Sequence, residues 1–185
     1  MCCIICLIPL HLHILFDVDE SAEMLSDELG NTFHHNTAKL LFLCKRARPN
    51  VQTAVAFLCT QVKALDMDDY KKLARTMKYL RGSLYMPLIM EADDMNMDKW
   101  WADASFAVHP DIKSHTGRLM TLGKGAIYGT STRQKINTKC STEAELVGLN
   151  NVMPQVLWTR YFLEAQGYGV IVYCVSRQQT ALQSF

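Results

Sequence analysis

Apolar side chains recur at helical spacing through the first half of the chain and at strand spacing through the second. Ala38, Leu41 and Phe42 are followed, after the Arg48–Pro49 break, by Val51, Val55, Leu58, Cys59 and Val62. Leu73, Met77 and Leu80 then continue the period up to Gly82. This predicts three helices, the second opening at Pro49, where a missing N–H costs nothing, and the third opening at Asp68 or Asp69. After Pro87 the period changes. "LIMEADD" reads as a strand entering a turn, and "DKWWADASFAV" as a second strand. "HTGRLMTLG" and "AIYGTSTRQ" read as a hairpin around Gly123–Lys124–Gly125. "CSTEAELVGLNNVMPQVLWTRYFLEAQG" is a long helix that Pro154 should kink, and "YGVIVYCV" a buried strand. Strands joined by a crossover helix predict a mixed sheet, so the fold class expected is α/β (α+β).

The ends of the pattern are less regular. "MCCIICLIPLHLHILF" is apolar but shorter than the roughly 20 residues of a bilayer span, and it lacks the basic start of a signal peptide. It is expected to be a non-native start, with no membrane role. Asp17 to Gly30 is acidic and reads as a solvated linker. Residues 1–30 are thus expected to be poorly ordered, 31–86 to be helical, and 87–185 to carry the sheet.

Composition narrows the picture. The chain has 185 residues, 49% apolar, enough for one compact core and an appendage. Its net charge of +1 provides no global basic field for nucleic acid, so any such binding must come from local patches. Seven cysteines without repeated spacing favour reduced thiols in an intracellular setting. Cys3 and Cys6, with His11 and His13 downstream, lack the second pair that a zinc site needs. His34–His35 read as surface polar residues and Trp100–Trp101 as packing residues.

Five ordered motifs carry a resemblance: "FHHNTAKLLFLCKRARPNVQTAVAFL", "DDYKKLARTMKYLRGS", "WWADASFAVHPDIKSHTG", "STRQKINTKCSTEAELVGLN" and "LWTRYFLEAQG". Together they resemble the reverse transcriptase and ribonuclease H region of copia-type retrotransposon Pol polyproteins, over about residues 15–174. The resemblance implies that residues 33 to about 82 match the helical end of the polymerase, whose catalytic palm would lie upstream. Asp68–Asp69 would then be a helix-capping pair rather than polymerase metal ligands. From about residue 88 it implies a truncated ribonuclease H-like domain that cleaves RNA in RNA–DNA hybrids with Mg²⁺ or Mn²⁺. That chemistry sets two divalent ions among several carboxylates, one ion activating water and the other steadying the leaving oxygen.

By resemblance the first metal-binding carboxylate is Asp103, and the second Glu145 at the start of the long helix, with Glu143 as its rival. Glu145 also fits a capping box with Thr142, and a first-turn carboxylate suits either role. The third carboxylate is expected to be missing, with Arg177 at the matching position, so metal affinity and catalysis are expected to fail. Asp93, Asp94 or Asp98 would have to complete the site for activity to survive. The second expectation, from a different class, is a residual nucleic-acid-binding module. Its cations would be Lys71, Lys72, Arg75, Lys78 and Arg81, with Lys45, Arg46 and Arg48 nearby, unless Asp66, Asp68 and Asp69 merely balance a solvated face. An open sheet without further covering helices also predicts poor solubility or partial folding of the isolated chain.

Overall fold

A computed structural model describes residues 12–93, 96–176 and 179–182. Cys3, Cys6 and His11, like Asp94 and Arg177, lie outside the described residues. Two compact units divide the described chain near residue 88, one helical and one built on a sheet.

The helical unit contains α1 (Leu12–Phe16), α2 (Asp27–Arg46), α3 (Gln52–Thr60) and α4 (Met67–Gly82). The helix α2 starts earlier than the apolar period suggests. Ser26 caps it, its Oγ accepting from the Leu29 amide at 3.5 Å. Asp27 and Glu28 sit in its first turn, and Lys45 and Arg46 in its last, all complementing the helix dipole. The last four residues of the acidic stretch, Asp27 to Gly30, are therefore helix start. Its remainder is tied down as well, because the Leu25 amide donates to Leu65 and the Met67 amide to Glu23.

The buried stripe of α2 is Phe33, Thr37, Leu40 and Cys44, at i, i+4, i+7 and i+11. Leu41 and Phe42, which the sequence pattern places on the apolar face, are instead 40% and 69% exposed. The stripe is decided by what it meets, namely Val51 from the turn that follows, Val55 and Leu58 of α3, and Leu73 and Leu80 of α4. Pro49 opens a 3-10 turn (Pro49–Val51) that runs into α3. The cap of α4 is Asp66 rather than Asp68 or Asp69, its Oδ1 accepting from the Asp69 amide at 2.8 Å. Asp68 instead pairs with Lys72 one turn on, at 2.9 Å.

The sheet unit contains β1 (Met97–Ser105), β2 (His115–Thr121), β3 (Tyr128–Arg133), α5 (Ser141–Ala165), β4 (Ile171–Ser176) and β5 (Gln179–Leu182). The strand order is β3-β2-β1-β4-β5, with β1 parallel to β4 and the other neighbours antiparallel. This is the mixed α/β arrangement that a crossover helix demands. Trp100, Ala102 and Met120 form one face of the sheet, against which Val152 and Val156 of α5 pack. Where α5 crosses Ala104 and Thr116 it carries Gly148, because a Cβ there would stand 3.2 Å from the Thr116 methyl.

Two local expectations change. The stretch 88–93 forms no strand, and Ala92 makes only an isolated bridge to Gly123. Its polar backbone groups go to the β2–β3 turn, where the Asp93 amide donates to Leu122 and the Lys124 amide to Glu91. Gly123 allows that approach, since a Cβ would lie 1.8 Å from the Glu91 carbonyl oxygen. Second, the capping box of Thr142 with Glu145 does not form. The N-cap is Cys140, and Glu143 takes the capping work by accepting from the Lys139 amide at 2.6 Å.

Candidate functional site

The geometry separates the rival glutamates. Glu145 belongs to the stripe of α5 that faces the sheet, together with Gly148, Val152 and Val156, and is only 6% exposed. Glu143 lies outside that stripe and closes the helix start. Moving toward the N-terminus of α5 runs toward the C-terminal end of β1, since Val152 packs by Trp100 and Gly148 by Ala104. Glu145 thus arrives at the end of β1 that also bears Asp103.

Asp103 is 4% exposed and two residues short of the end of β1. Its Cα partner is Gly117, which in turn faces Ser131. Alternation along β1 turns Asp103 to the face opposite Trp100, Ala102 and α5. Both carboxylates therefore lie toward the carboxyl end of the parallel β1–β4 pair. In open α/β sheets this end is where ligands bind.

A two-metal centre needs more than two such groups. The position of β4 that faces the same way as Asp103 and lies nearest it is Val175, paired with Trp101, and it offers no ligand atom. Asp98 is completely buried at the other end of β1 and on the α5 side, with its Oδ2 accepting from the Trp100 indole at 2.7 Å. Five strand residues, about 16 Å, separate it from Asp103. Burial pushes its carboxyl up to about 6, against the lowering effect of the indole. Asp93 pairs with Lys99 at 3.3 Å. Among the described residues no three His, Cys, Asp or Glu side chains gather as a metal site. The described residues do not fit a two-metal centre, since hard divalent ions require several converging oxygens.

The sequence pattern missed a polar system beside Asp103. On the same sheet face, His115 Nδ1 meets His109 Nε2 at 2.9 Å, and its Nε2 meets Ser131 Oγ at 2.6 Å. Ser114 Oγ meets Thr138 Oγ1 at 2.9 Å. Both histidines are nearly inaccessible. Burial pulls His115 down to about 3, with His109 adding to the effect. Burial, aided by Arg133, pulls His109 down to about 4. The only trace in the sequence is His115 at an inward strand position, and a lone histidine there reads as ordinary packing.

The basic residues are divided by burial. Lys71, Arg75 and Lys78 share one exposed face of α4, with Arg81 to one side. Lys72 is turned inward at 5% exposure. It pairs with Asp68, donates to the Asp17 carbonyl and lies 5.0 Å over the Phe57 ring. Arg48 is likewise engaged, donating to Ser83 and stacking on Tyr79. Lys45 and Arg46 are exposed, as are His34 and His35. No helix among the described residues is long and apolar enough to cross a membrane.

Comparison with known proteins places these features. The chain is 28% identical over 159 residues, 82% of its length, to the Retrovirus-related Pol polyprotein from transposon TNT 1-94 of Nicotiana tabacum. It is 24% identical over 113 residues, 60% of its length, to an uncharacterized mitochondrial protein of Arabidopsis thaliana. The matched stretches span 12% of the first relative and 47% of the second. No family model matches the chain, and neither does any solved structure.

Proposed function

The chain is homologous to a stretch of a copia-type retrotransposon Pol polyprotein, and on that premise we propose that residues 87–185 are a ribonuclease H-like domain that no longer hydrolyses RNA. The observation that carries this reading is the pair of buried carboxylates at one end of β1, Asp103 and Glu145, which among the described residues gather with no third side chain into a group that could hold a metal ion. Two-metal hydrolysis requires both ions to be clamped at once. Two carboxylates without a further ligand gathered among the described residues support the reading of an incomplete clamp.

The test uses purified, folded protein with a labelled RNA–DNA hybrid in Mg²⁺ and then Mn²⁺, alongside Asp103→Asn. No cleavage of the RNA strand by either protein is expected. Cleavage that vanishes in Asp103→Asn would overturn the loss of activity and reveal a further ligand.

A second reading is nucleic-acid binding without catalysis. It is favoured by the exposed alignment of Lys71, Arg75 and Lys78 on α4. The same hybrid, held without metal, is then expected to bind with an affinity that falls steeply as salt is raised. Each phosphate-contacting cation adds about 0.9 to that logarithmic slope.

A further inference from the structure

The helices α2 and α4 leave an open trough of about 800 Å³ along their shared side. Its floor is apolar, formed by Leu40, Leu43 and Leu73, and widens over the exposed side chains Met77 and Leu84. Lys39, Lys78 and Arg81 stand on its rim, and no Asp or Glu is among the described residues that line it. Among the described residues no ion pair engages these three. All three are exposed.

A floor of Leu and Met side chains has no means of reading a phosphate backbone, which would meet only the rim. An amphipathic helix satisfies both parts, its apolar anchors at i, i+3, i+4 and i+7 filling the floor and its flanks meeting the cations. The positive rim fixes the sign of those flanks. We propose that the α2–α4 trough is a docking groove for an amphipathic helix with acidic flanks, supplied by a protein partner.

This assignment does not depend on the nuclease-like reading of the sheet unit. The probe is a fluorescent peptide of about 18 residues, about 27 Å as a helix, with leucines at the anchor spacing and Glu on both flanks. Its anisotropy is followed with the full chain. Saturable binding is expected, weakened about tenfold or more by Lys39→Glu combined with Arg81→Glu, and equally by exchanging the flanking Glu of the peptide for Lys. Lys63→Glu combined with Lys135→Glu makes the same change in net charge away from the trough and is expected to leave binding intact. Circular dichroism confirms that each variant is folded, and Met77→Lys blocks the floor without altering the rim. The proposal is overturned if acidic and basic peptides bind alike, if neither binds, if Met77→Lys leaves binding unchanged, or if a single-stranded oligonucleotide displaces the peptide.

Discussion

Asp98 is the residue at which burial and charge conflict most plainly. It is completely buried beside Trp100, and a single indole N–H compensates for its lost hydration. With its carboxyl pushed up to about 6, the folded state at neutral pH carries a charge that the unfolded state holds at less cost. Asp98→Asn keeps an oxygen for the indole and removes the charge. It is expected to stabilise the sheet unit by about 1–3 kcal/mol at pH 7, measured by urea denaturation. That gain should shrink below pH 6 and vanish near the ordinary carboxyl value, because the folded wild type then regains its proton first. A loss of stability at pH 7 would mean that the indole bond outweighs the burial cost. Glu145 and Asp103 present a different case. Their residue types and motif spacing are readable in the sequence, which by resemblance ranks Glu145 before Glu143, whereas the burial of Glu145 against the sheet follows from a helix phase set by Gly148, Val152 and Val156.

At the scale of elements, helix and strand periods identified α3, α4, α5 and the β2–β3 hairpin, because their apolar positions recur over enough residues to fix a period. They failed where tertiary partners, not the local pattern, decide which groups are engaged. Residues 88–93 look like a strand, yet they spend their backbone bonds on the glycine turn. Leu41 and Phe42 fit a helical period but face outward, since α2 meets its partners along Phe33, Leu40 and Cys44. The start of α4, expected at Asp68 or Asp69, is capped by Asp66 for a similar reason. Asp66, Asp68 and Asp69 are all competent caps by type, and only the chain direction at Asp66 selects it. Asp66→Ala is accordingly expected to cost about 1 kcal/mol. Asp66→Asn keeps a side-chain acceptor for the Asp69 amide and is expected to recover most of that loss. Thermal melts followed by circular dichroism distinguish the two, and equal losses would contradict the cap assignment.

For the whole molecule, the two units are expected to answer acid in opposite directions. In the sheet unit, His109 and His115 are held neutral by burial, at about 4 and about 3. Their contribution is fully present above the unfolded value of about 6.5 and is lost as the pH falls below it, since the unfolded chain takes the protons first. At pH 5 this costs about 2 kcal/mol for each histidine, of which Asp98 returns about 1. In the helical unit, Asp69 is pushed up to about 6, chiefly by burial, and gains stability over the same range. All the tryptophans, Trp100, Trp101 and Trp158, lie in the sheet unit, so their emission isolates its melting. The emission midpoint in urea should fall between pH 7 and pH 5. A midpoint that holds steady would show that the buried histidines are already charged or hydrated.

The pairing of β1 with β4 has a consequence in time. Met97 lies beside Ile171 in the finished sheet, yet β2, β3 and all of α5 intervene along the chain. During synthesis β1, β2 and β3 emerge first and can associate as neighbours. The Trp100 face must then wait for α5, and the other edge of β1 for β4. Contacts so distant in sequence slow folding, because the intervening loop must close before it is rewarded. The helical unit, made of near-neighbour contacts, is complete before that wait begins, and the newborn sheet spends it with its largest aromatic side chain uncovered.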